Sequence, residues 1–251
     1  MPRANRCFVA GAVWHITHRC HQREFLLRHD WCRRRWIHWL FEARKRFGLC
    51  ALNFIVTCNH IHLLVKDLGC GEIARSMQLI AGRTAQEFNA RKRRRGAFWE
   101  DRYHATAVST DTHLARCLVY IDLNMVRAGV VSDPSGWLHS GYHEIQKPKQ
   151  RYRIVDIATL LELTGCASHR DLRVWHRDLV DETLRDTAFQ QRQPLWTETV
   201  AVGDRDFVAM IEQALGMRVP GRKMEQRGNA TWILKQQHRT YDAKSATKTS
   251  F

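Results

Sequence analysis

Short stretches of β-branched and aromatic residues alternate in the first half of the chain with longer stretches of helical periodicity. Four short stretches predict strands; they are Cys7–Thr17, Leu52–Thr57, His60–Lys66 and Phe98–Ser109. Two long stretches between them predict helices, at Asp30–Gly48 and Glu72–Arg91. The resulting order βαββαβ predicts an α+β fold of the ferredoxin-like type, with one antiparallel sheet and helices on one face. We expect the other face to be open for a ligand.

A third helix follows this predicted sheet. Thr110 or Asp111 is suited to be its N-cap, and Gly129 is suited to end it after Ala128. The next stretch, Gly141–Gln150, is polar and contains a proline, which indicates a boundary.

Beyond that boundary, helical periodicity returns three times. The predicted helices are Asp156–Leu163, His169–Leu184 and Asp204–Leu215. The last fourteen residues lack apolar periodicity. We therefore predict a catalytic domain at 1–145, a mainly helical C-terminal region at 150–237 and a flexible tail at 238–251.

Composition excludes several classes of protein. Of 251 residues, 44% are hydrophobic, which is enough for a packed core. No apolar run approaches the roughly 20 residues of a membrane span, and the N-terminus lacks the features of a secretory signal. The eight cysteines form no CxxC pair, which argues against a zinc ribbon or a disulfide scaffold. We expect a cytoplasmic protein with no membrane partner.

The net charge of the chain indicates the class of partner that it binds. Forty lysines and arginines against 25 acidic residues give a formal net charge of +15. Such an excess indicates a polyanion, which for a cytoplasmic protein is nucleic acid. Solubility alone is the alternative explanation, but most of the basic residues are arginines, which suit phosphate recognition.

Two histidines lie close together in the third predicted strand. His60 and His62 are two positions apart, so both side chains project from the same face of the sheet. Both imidazoles are therefore placed to bind one metal ion. The alternative is a pair of half-exposed histidines without a ligand.

A second candidate group lies on the third predicted helix. Tyr120, Asn124 and Arg127 follow one another at i, i+4 and i+7, on a different stripe from the apolar residues. A surface tyrosine covering the edge of the core is the alternative explanation. Together with the histidines, the group suggests phosphodiester chemistry. The histidines and the Asn124 carbonyl would hold a divalent cation that polarises the phosphate, and the tyrosine hydroxyl would attack phosphorus.

Four sequence segments resemble one known family. They are MPRANR…AGAVWHITHR, TCNHIHLLV, RRRGAFWEDRYHA and YIDLNMVRAGVV, within about residues 1–143. In their order and spacing they resemble the REP-associated tyrosine transposases, which are single-tyrosine transposases of the insertion-sequence type in the HUH superfamily of single-strand DNA nucleases. The chain departs from the family pattern at Cys58 and Met125, where the family usually has proline, and at Ala10-Gly11, where it usually has Pro-Gly.

The resemblance implies an enzyme that nicks and rejoins single-stranded DNA near hairpins, acting as a monomer or a homodimer. Tyr120 would be the nucleophile and would leave a 5′-phosphotyrosine and a free 3′-OH. His60, His62 and Asn124 would bind Mg²⁺ or Mn²⁺. His15 lies in a segment that matches the family, but neither it nor His104 is given a role.

Basic runs beside aromatic residues are the expected DNA contacts, because unpaired bases bind by stacking and by phosphate contact. The alternative is a solvated helix end. The candidates are Arg33, Arg34, Arg35, Arg91, Lys92, Arg93, Arg94, Arg95, Trp99 and Arg127.

Two other functions compete with the transposase hypothesis. One is a hairpin-binding protein derived from a transposase that has lost catalysis. The other is a different phosphoesterase: histidine-triad hydrolases need a third alternating histidine where this chain has Leu64, and two-histidine phosphoesterases need two HxT or HxS motifs, of which His15-Ile16-Thr17 supplies only one.

Overall fold

A computed structural model describes residues 8–186, 191, 193–216, 221–228 and 230–236. The strands within these ranges are β1 (Val13–Arg19), β2 (Cys50–Val56), β3 (His60–Lys66), β4 (His104–Val108), β5 (Ala201–Gly203), β6 (Arg222–Gln226) and β7 (Trp232–Gln236). The α-helices are α1 (Asp30–Phe47), α2 (Glu72–Lys92), α3 (Thr112–Asp122), α4 (Asn124–Arg127), α5 (Tyr142–Gln146), α6 (Ile157–Thr164), α7 (His169–Arg185) and α8 (Arg205–Leu215). No helix in the described part of the chain is long and apolar enough to cross a membrane.

The first four strands and two helices form the predicted βαββαβ unit. Its strand order is β2-β3-β1-β4, and all neighbours within it are antiparallel. Residues paired across neighbouring strands point to the same face, so Thr17 and His62 share one face. The α+β fold class is confirmed.

The two faces of the sheet carry different helices. Phe54 of β2 contacts Trp36 of α1, and α1 in turn packs on α2. The neighbouring Asn53 points the other way, and its side-chain amide donates to Asp122 of α3 at 3.0 Å. Both helices of the βαββαβ unit therefore lie on one face as predicted. The expectation that the opposite face is open was wrong where α3 covers it.

Several element bounds differ from the prediction. The helix α1 begins at Asp30, as predicted, and ends at Phe47, with His29 and Gly48 as its caps. The fourth strand is shorter than predicted, because residues 98–103 leave the sheet and only Trp99 forms an isolated bridge, with Cys20. The predicted start of the first strand at Cys7 lies outside the described residues.

The predicted third helix contains a kink. Asp111 caps it, accepting from the backbone N–H of His113 at 2.8 Å, and Gly129 ends it with φ of +69°. At Leu123 the backbone departs from helical geometry (φ −80°, ψ 5°), so two helices, α3 and α4, replace one. The backbone N–H of Leu123 still donates to Val119, and the Leu123 carbonyl accepts from Arg127. Tyr120, Asn124 and Arg127 therefore keep their relative spacing.

The C-terminal region joins the same sheet. The three predicted helices are present as α6, α7 and α8, but three strands were not predicted. Strand β5 pairs parallel with β4, and the sheet continues through β7 to β6. Sequence patterning missed these strands because β5 has only three residues and β6 (RKMEQ) has little apolar alternation.

The polar stretch that was predicted as a boundary is partly buried. Residues Tyr142 and Ile145 of α5 are in the core, and the carboxylate of Glu144 accepts from the backbone N–H groups of Ile154 and Val155 at 2.8 and 2.9 Å. The division at 145–150 stays a prediction, and the predicted tail at 238–251 lies outside the described residues.

Candidate active site

A cleft of about 600 Å³ opens on the face of the sheet that carries α3. One end of β1 and β3, the segment 100–102 and the helices α3 and α4 border it. The side chains of the proposed chemistry that line it are His60, His62, Tyr120, Asn124 and Arg127. The sequence pattern had placed these residues on two separate elements, and the fold brings them together.

The first of the two strand histidines is held by its own turn. The Thr57 hydroxyl donates to the backbone carbonyl of His60 at 2.8 Å, so its oxygen is left to accept from His60 Nδ1 at 3.0 Å. The Asn59 side-chain carbonyl accepts from the same nitrogen at 2.7 Å. The proton is therefore on Nδ1, and Nε2 carries a lone pair. Burial, with smaller contributions from Arg19 and Arg127, lowers the pKa of His60 to about 4.

The second strand histidine lies deeper. His62 is 2% exposed, and its ring centroid is 4.9 Å from that of His60. Its Nδ1 contacts Nε2 of His15 at 2.8 Å, and its Nε2 accepts from the amide of Asn124 at 3.0 Å. Burial is the main cause that holds the pKa of His62 well below its usual range, with His60 next. Both histidines are therefore neutral at pH 7.

The tyrosine of α3 lies against these rings. The Tyr120 ring centroid is 5.7 Å from that of His62 and 6.0 Å from that of His15, both edge-on, and the residue is 7% exposed. The Arg127 guanidinium lies 4.3 Å from the Tyr120 ring centroid and donates to the Tyr120 carbonyl at 3.1 Å. The i to i+7 spacing thus places a cation over the aromatic ring.

The donor set fits a divalent cation only with help from the substrate. No group of three or more His, Cys, Asp or Glu within the described ranges is arranged to hold a metal ion. The available donors are Nε2 of His60, Nε2 of His62 and the amide of Asn124, whose oxygen faces the same position after a half-turn of the amide. Phosphate or water oxygens would complete the coordination. A set with two imidazoles suits Mn²⁺ better than Mg²⁺, which prefers oxygen ligands.

Sequence reasoning missed two groups around this site. One is His15, which is completely buried and faces the cleft side of the sheet. The other is Asp122, whose carboxylate accepts hydrogen bonds from the Asn53 amide at 3.0 Å and from His176 of α7 at 2.8 Å. His15 could have been suspected from period-two spacing with Thr17. The contact between Asp122 and His176 could not have been suspected, because the two residues lie 54 positions apart in the sequence.

The arginines of α1 have structural contacts. Arg33, predicted to contact DNA, is buried and donates to the backbone carbonyls of Leu27 and Arg28 at 3.0 and 2.8 Å. These contacts use the Arg33 guanidinium within the fold and argue against a DNA contact at this residue. Arg34 forms an ion pair with Asp30, and Arg35 forms a bidentate pair with Glu87 at 2.7 and 2.8 Å.

The basic run at 91–95 lies at the end of α2. Arg91, Lys92, Arg93 and Arg95 are exposed, and the Arg91 guanidinium lies 4.4 Å from the ring centroid of Trp31. Trp99, a predicted stacking platform, instead stacks on His18 at 4.1 Å between ring centroids and donates its indole N–H to the Ala81 carbonyl. Residues 96–99 connect the run to residues 100–102 at the edge of the cleft.

Comparison with known families agrees with this geometry. The family model described as "Transposase IS200 like" matches residues 9–124, which include the strand histidines, Tyr120 and Asn124. The matched segment is similar to IS200-like transposases and spans less than half of the chain. DNA transposition is the function that the description of this family names.

Two solved structures are similar to the chain. A REP-associated tyrosine transposase bound to a REP hairpin is 18% identical, with a TM-score of 0.49 over 62% of this chain and 94% of that chain. A protein from Deinococcus radiodurans R1 assigned as a transposase is 19% identical, with a TM-score of 0.35 over 48% of this chain and 95% of that chain. No curated protein matches the chain significantly. The family match ends at Asn124, so everything after α4 begins lies outside it.

Proposed function

We propose that this chain nicks and rejoins single-stranded DNA through a covalent 5′-phosphotyrosine at Tyr120. The observation that carries the proposal is the convergence of Tyr120, His60, His62 and Asn124 in one cleft of one chain. Each of these side chains, taken alone, can also be explained as a structural residue without a catalytic role. Structural roles do not account for the convergence of side chains from β3, α3 and α4 in one cleft.

In the forward step, the Tyr120 oxygen attacks the phosphorus of a phosphodiester. A bond forms between that oxygen and phosphorus, and the bond from phosphorus to the 3′-oxygen breaks. The phenolic proton passes to solvent, and the departing 3′-oxygen takes up a proton to become a free 3′-OH. In the reverse step, a 3′-OH attacks the phosphotyrosine and releases Tyr120. This attack forms a new phosphodiester and rejoins the strand without any external energy source.

The neutral histidines and Asn124 would hold Mg²⁺ or Mn²⁺. When bound, such a cation polarises the phosphate and stabilises the charge that develops on it. Neutral imidazoles are the form that binds metal, and burial keeps His60 and His62 in that form. Arg127 would add fixed positive charge beside the Tyr120 ring, where negative charge develops during attack.

The DNA strand would cross the cleft from the basic run at 91–95. Arg19 and Arg102 border the cleft and would contact its phosphates, together with Arg127. Hairpins as the preferred substrate follow from the family resemblance and not from the cleft. Because one chain supplies the whole site, we expect the monomer to be active.

The test is covalent capture. Purified full-length chain is incubated with a labelled library of hairpin-bearing single strands in Mn²⁺, in Mg²⁺ or in EDTA. We expect a protein–DNA adduct that survives denaturing electrophoresis, requires metal and maps by mass spectrometry to Tyr120. Tyr120→Phe should abolish it, whereas the matched variant Tyr152→Phe, at a tyrosine that is 72% exposed, should not.

Two outcomes contradict the proposal. An adduct of equal yield in Tyr120→Phe means that another residue is the nucleophile. Salt-sensitive binding without cleavage in either metal favours the non-catalytic hairpin-binding protein.

A further inference from the structure

The C-terminal region lines the cleft with Thr197 and Glu198, and the backbone carbonyl of Trp196 contacts a histidine behind it. The carbonyl oxygen of Trp196 lies 2.9 Å from Nδ1 of His15, and Nε2 of His15 lies 2.8 Å from Nδ1 of His62. All three residues are at most 2% exposed. Trp196 lies 72 residues beyond the end of the segment that matches the transposase family.

We propose that the Trp196 carbonyl, acting through His15, sets the tautomer of His62 and so keeps a lone pair on the nitrogen that faces the cleft. His15 is a positioning residue in this proposal, because it contacts the ring nitrogen that points away from the cleft. The last step, metal binding by His62, rests on the proposed function. The tautomer itself does not.

The direction of the hydrogen bonds follows from the chemistry of the groups. A carbonyl oxygen only accepts, so Nδ1 of His15 must carry a proton. A second proton would leave a charged imidazolium with no water around it, which is costly. Nε2 of His15 is therefore the acceptor, and Nδ1 of His62 must donate to it. Neutral His62 is then left with a bare Nε2.

Asn124 cannot make this choice by itself. Its amide donates to a bare Nε2 of His62 in the arrangement observed. After a half-turn, its carbonyl would accept equally well from a protonated Nε2. Either tautomer of His62 would therefore be satisfied on the cleft side. Only the contact with His15 distinguishes them.

The carbonyl is held in place by the C-terminal chain. Pro194–Trp196 forms a 3₁₀ turn, and the Trp196 indole N–H donates to the side chain of Gln193 at 2.7 Å. Just beyond the turn, the Thr199 carbonyl accepts from Thr106 of β4 at 2.7 Å. The turn is thus tied to the same sheet that carries His15.

His60 offers an internal comparison. Its Nδ1 proton is fixed by Asn59 and Thr57, three residues away at most. His62 obtains the same tautomer from a group 134 positions later in the chain. One ligand is therefore set locally and the other by the C-terminal region.

The experiment measures the tautomer directly, without DNA. Side-chain ¹⁵N chemical shifts of the histidines in metal-free, full-length protein distinguish a proton on Nδ1 from one on Nε2. We expect His62 to carry its proton on Nδ1. In His15→Leu, which removes the acceptor, the Nε2–H form should become populated. In His15→Gln, the side-chain carbonyl can accept from His62 while the amide donates to Trp196, so the original tautomer should return.

Calorimetric titration with Mn²⁺ gives the second readout. His15→Leu should weaken Mn²⁺ binding by about tenfold to a hundredfold, as expected when the outer contact of a metal-binding histidine is lost. His15→Gln should restore binding to within about threefold of the original. A merely space-filling role for His15 predicts no such recovery by glutamine and no tautomer change.

The proposal is overturned by a proton on Nε2 of His62 in the unaltered protein, a result that needs no variant to fold. It is also overturned if a folded His15→Leu keeps both the tautomer and the Mn²⁺ affinity. Failure of the proposed function looks different, since it appears in the Tyr120→Phe adduct assay while the tautomer result stands.

Discussion

The two faces of the β2-β3-β1-β4 sheet use polar residues in opposite ways. On the face covered by α1 and α2, charged side chains are tied to the protein: Arg35 pairs with Glu87, and Arg33 holds two backbone carbonyls. On the face covered by α3, His15, His62 and Asn124 form a chain of neutral hydrogen-bonded groups. Charged groups accompany them, because Asp122 accepts from Asn53 and His176 and Arg127 lies over the Tyr120 ring. The arginines of the helical face therefore serve the fold, whereas the proposed reaction depends on neutral imidazoles whose protons are fixed by hydrogen bonds.

The largest effect that separates the two faces should come from the strand histidines. His60→Ala should slow adduct formation by at least about a hundredfold, because a bound cation contributes several kcal/mol and each 1.36 kcal/mol is a factor of ten. Single-turnover rates of adduct formation in Mn²⁺ measure the loss.

The matched control for that variant is His38→Ala. His38 is an exposed histidine of α1 on the other face, and its removal should leave the rate within about twofold. Equal rates for the two variants would place the reaction away from the cleft.

An intermediate effect concerns pH. Burial lowers the pKa of His15 to about 3 and that of His60 to about 4. The unfolded chain, with histidine pKa near the usual ~6.5, then binds more protons than the folded chain between about pH 6.5 and pH 4. The free energy of unfolding of the metal-free protein should fall as pH falls through this window, by about 2 kcal/mol per buried histidine from pH 7 to pH 5.

Urea unfolding at pH 7, 6 and 5 tests this expectation. His15→Gln should make the fall smaller by the contribution of one histidine, since glutamine does not titrate, and His38→Ala should serve as the exposed control. A free energy of unfolding that stays constant from pH 7 to pH 5 would contradict the neutral, buried state of these rings.

The smallest effect concerns DNA phosphates. Arg19→Ala, at the cleft, should reduce the slope of log binding constant against log salt concentration by about 0.7 for single-stranded DNA. Arg34→Ala, on α1 and paired with Asp30, should leave the slope unchanged. Fluorescence anisotropy over a salt series gives both slopes. A reduced slope for Arg34→Ala and an unchanged slope for Arg19→Ala would indicate that DNA binds on the helical face.

Local patterns predicted much of this molecule. Period-two and period-3.6 spacing gave the βαββαβ order, the bounds of β3 to the residue and the shared face of His60 and His62. The spacing of Tyr120, Asn124 and Arg127 survived the kink, because Leu123 still bonds to Val119 on one side and to Arg127 on the other. Arg33 shows the limit of the same reasoning, since a charge pattern does not tell whether a guanidinium faces solvent or a backbone carbonyl.

The sequence by itself determined which side chains share a strand face or a helix stripe, because those relations depend only on backbone periods. Its net charge of +15 also predicts a negatively charged partner. The tertiary structure alone decided that β3 and α3 bring the imidazoles and the tyrosine into one cleft, and that α3 covers a face expected to be open. It alone decided that a carbonyl at Trp196 contacts His15, since a contact across 181 positions depends on how the whole chain packs and leaves no local pattern.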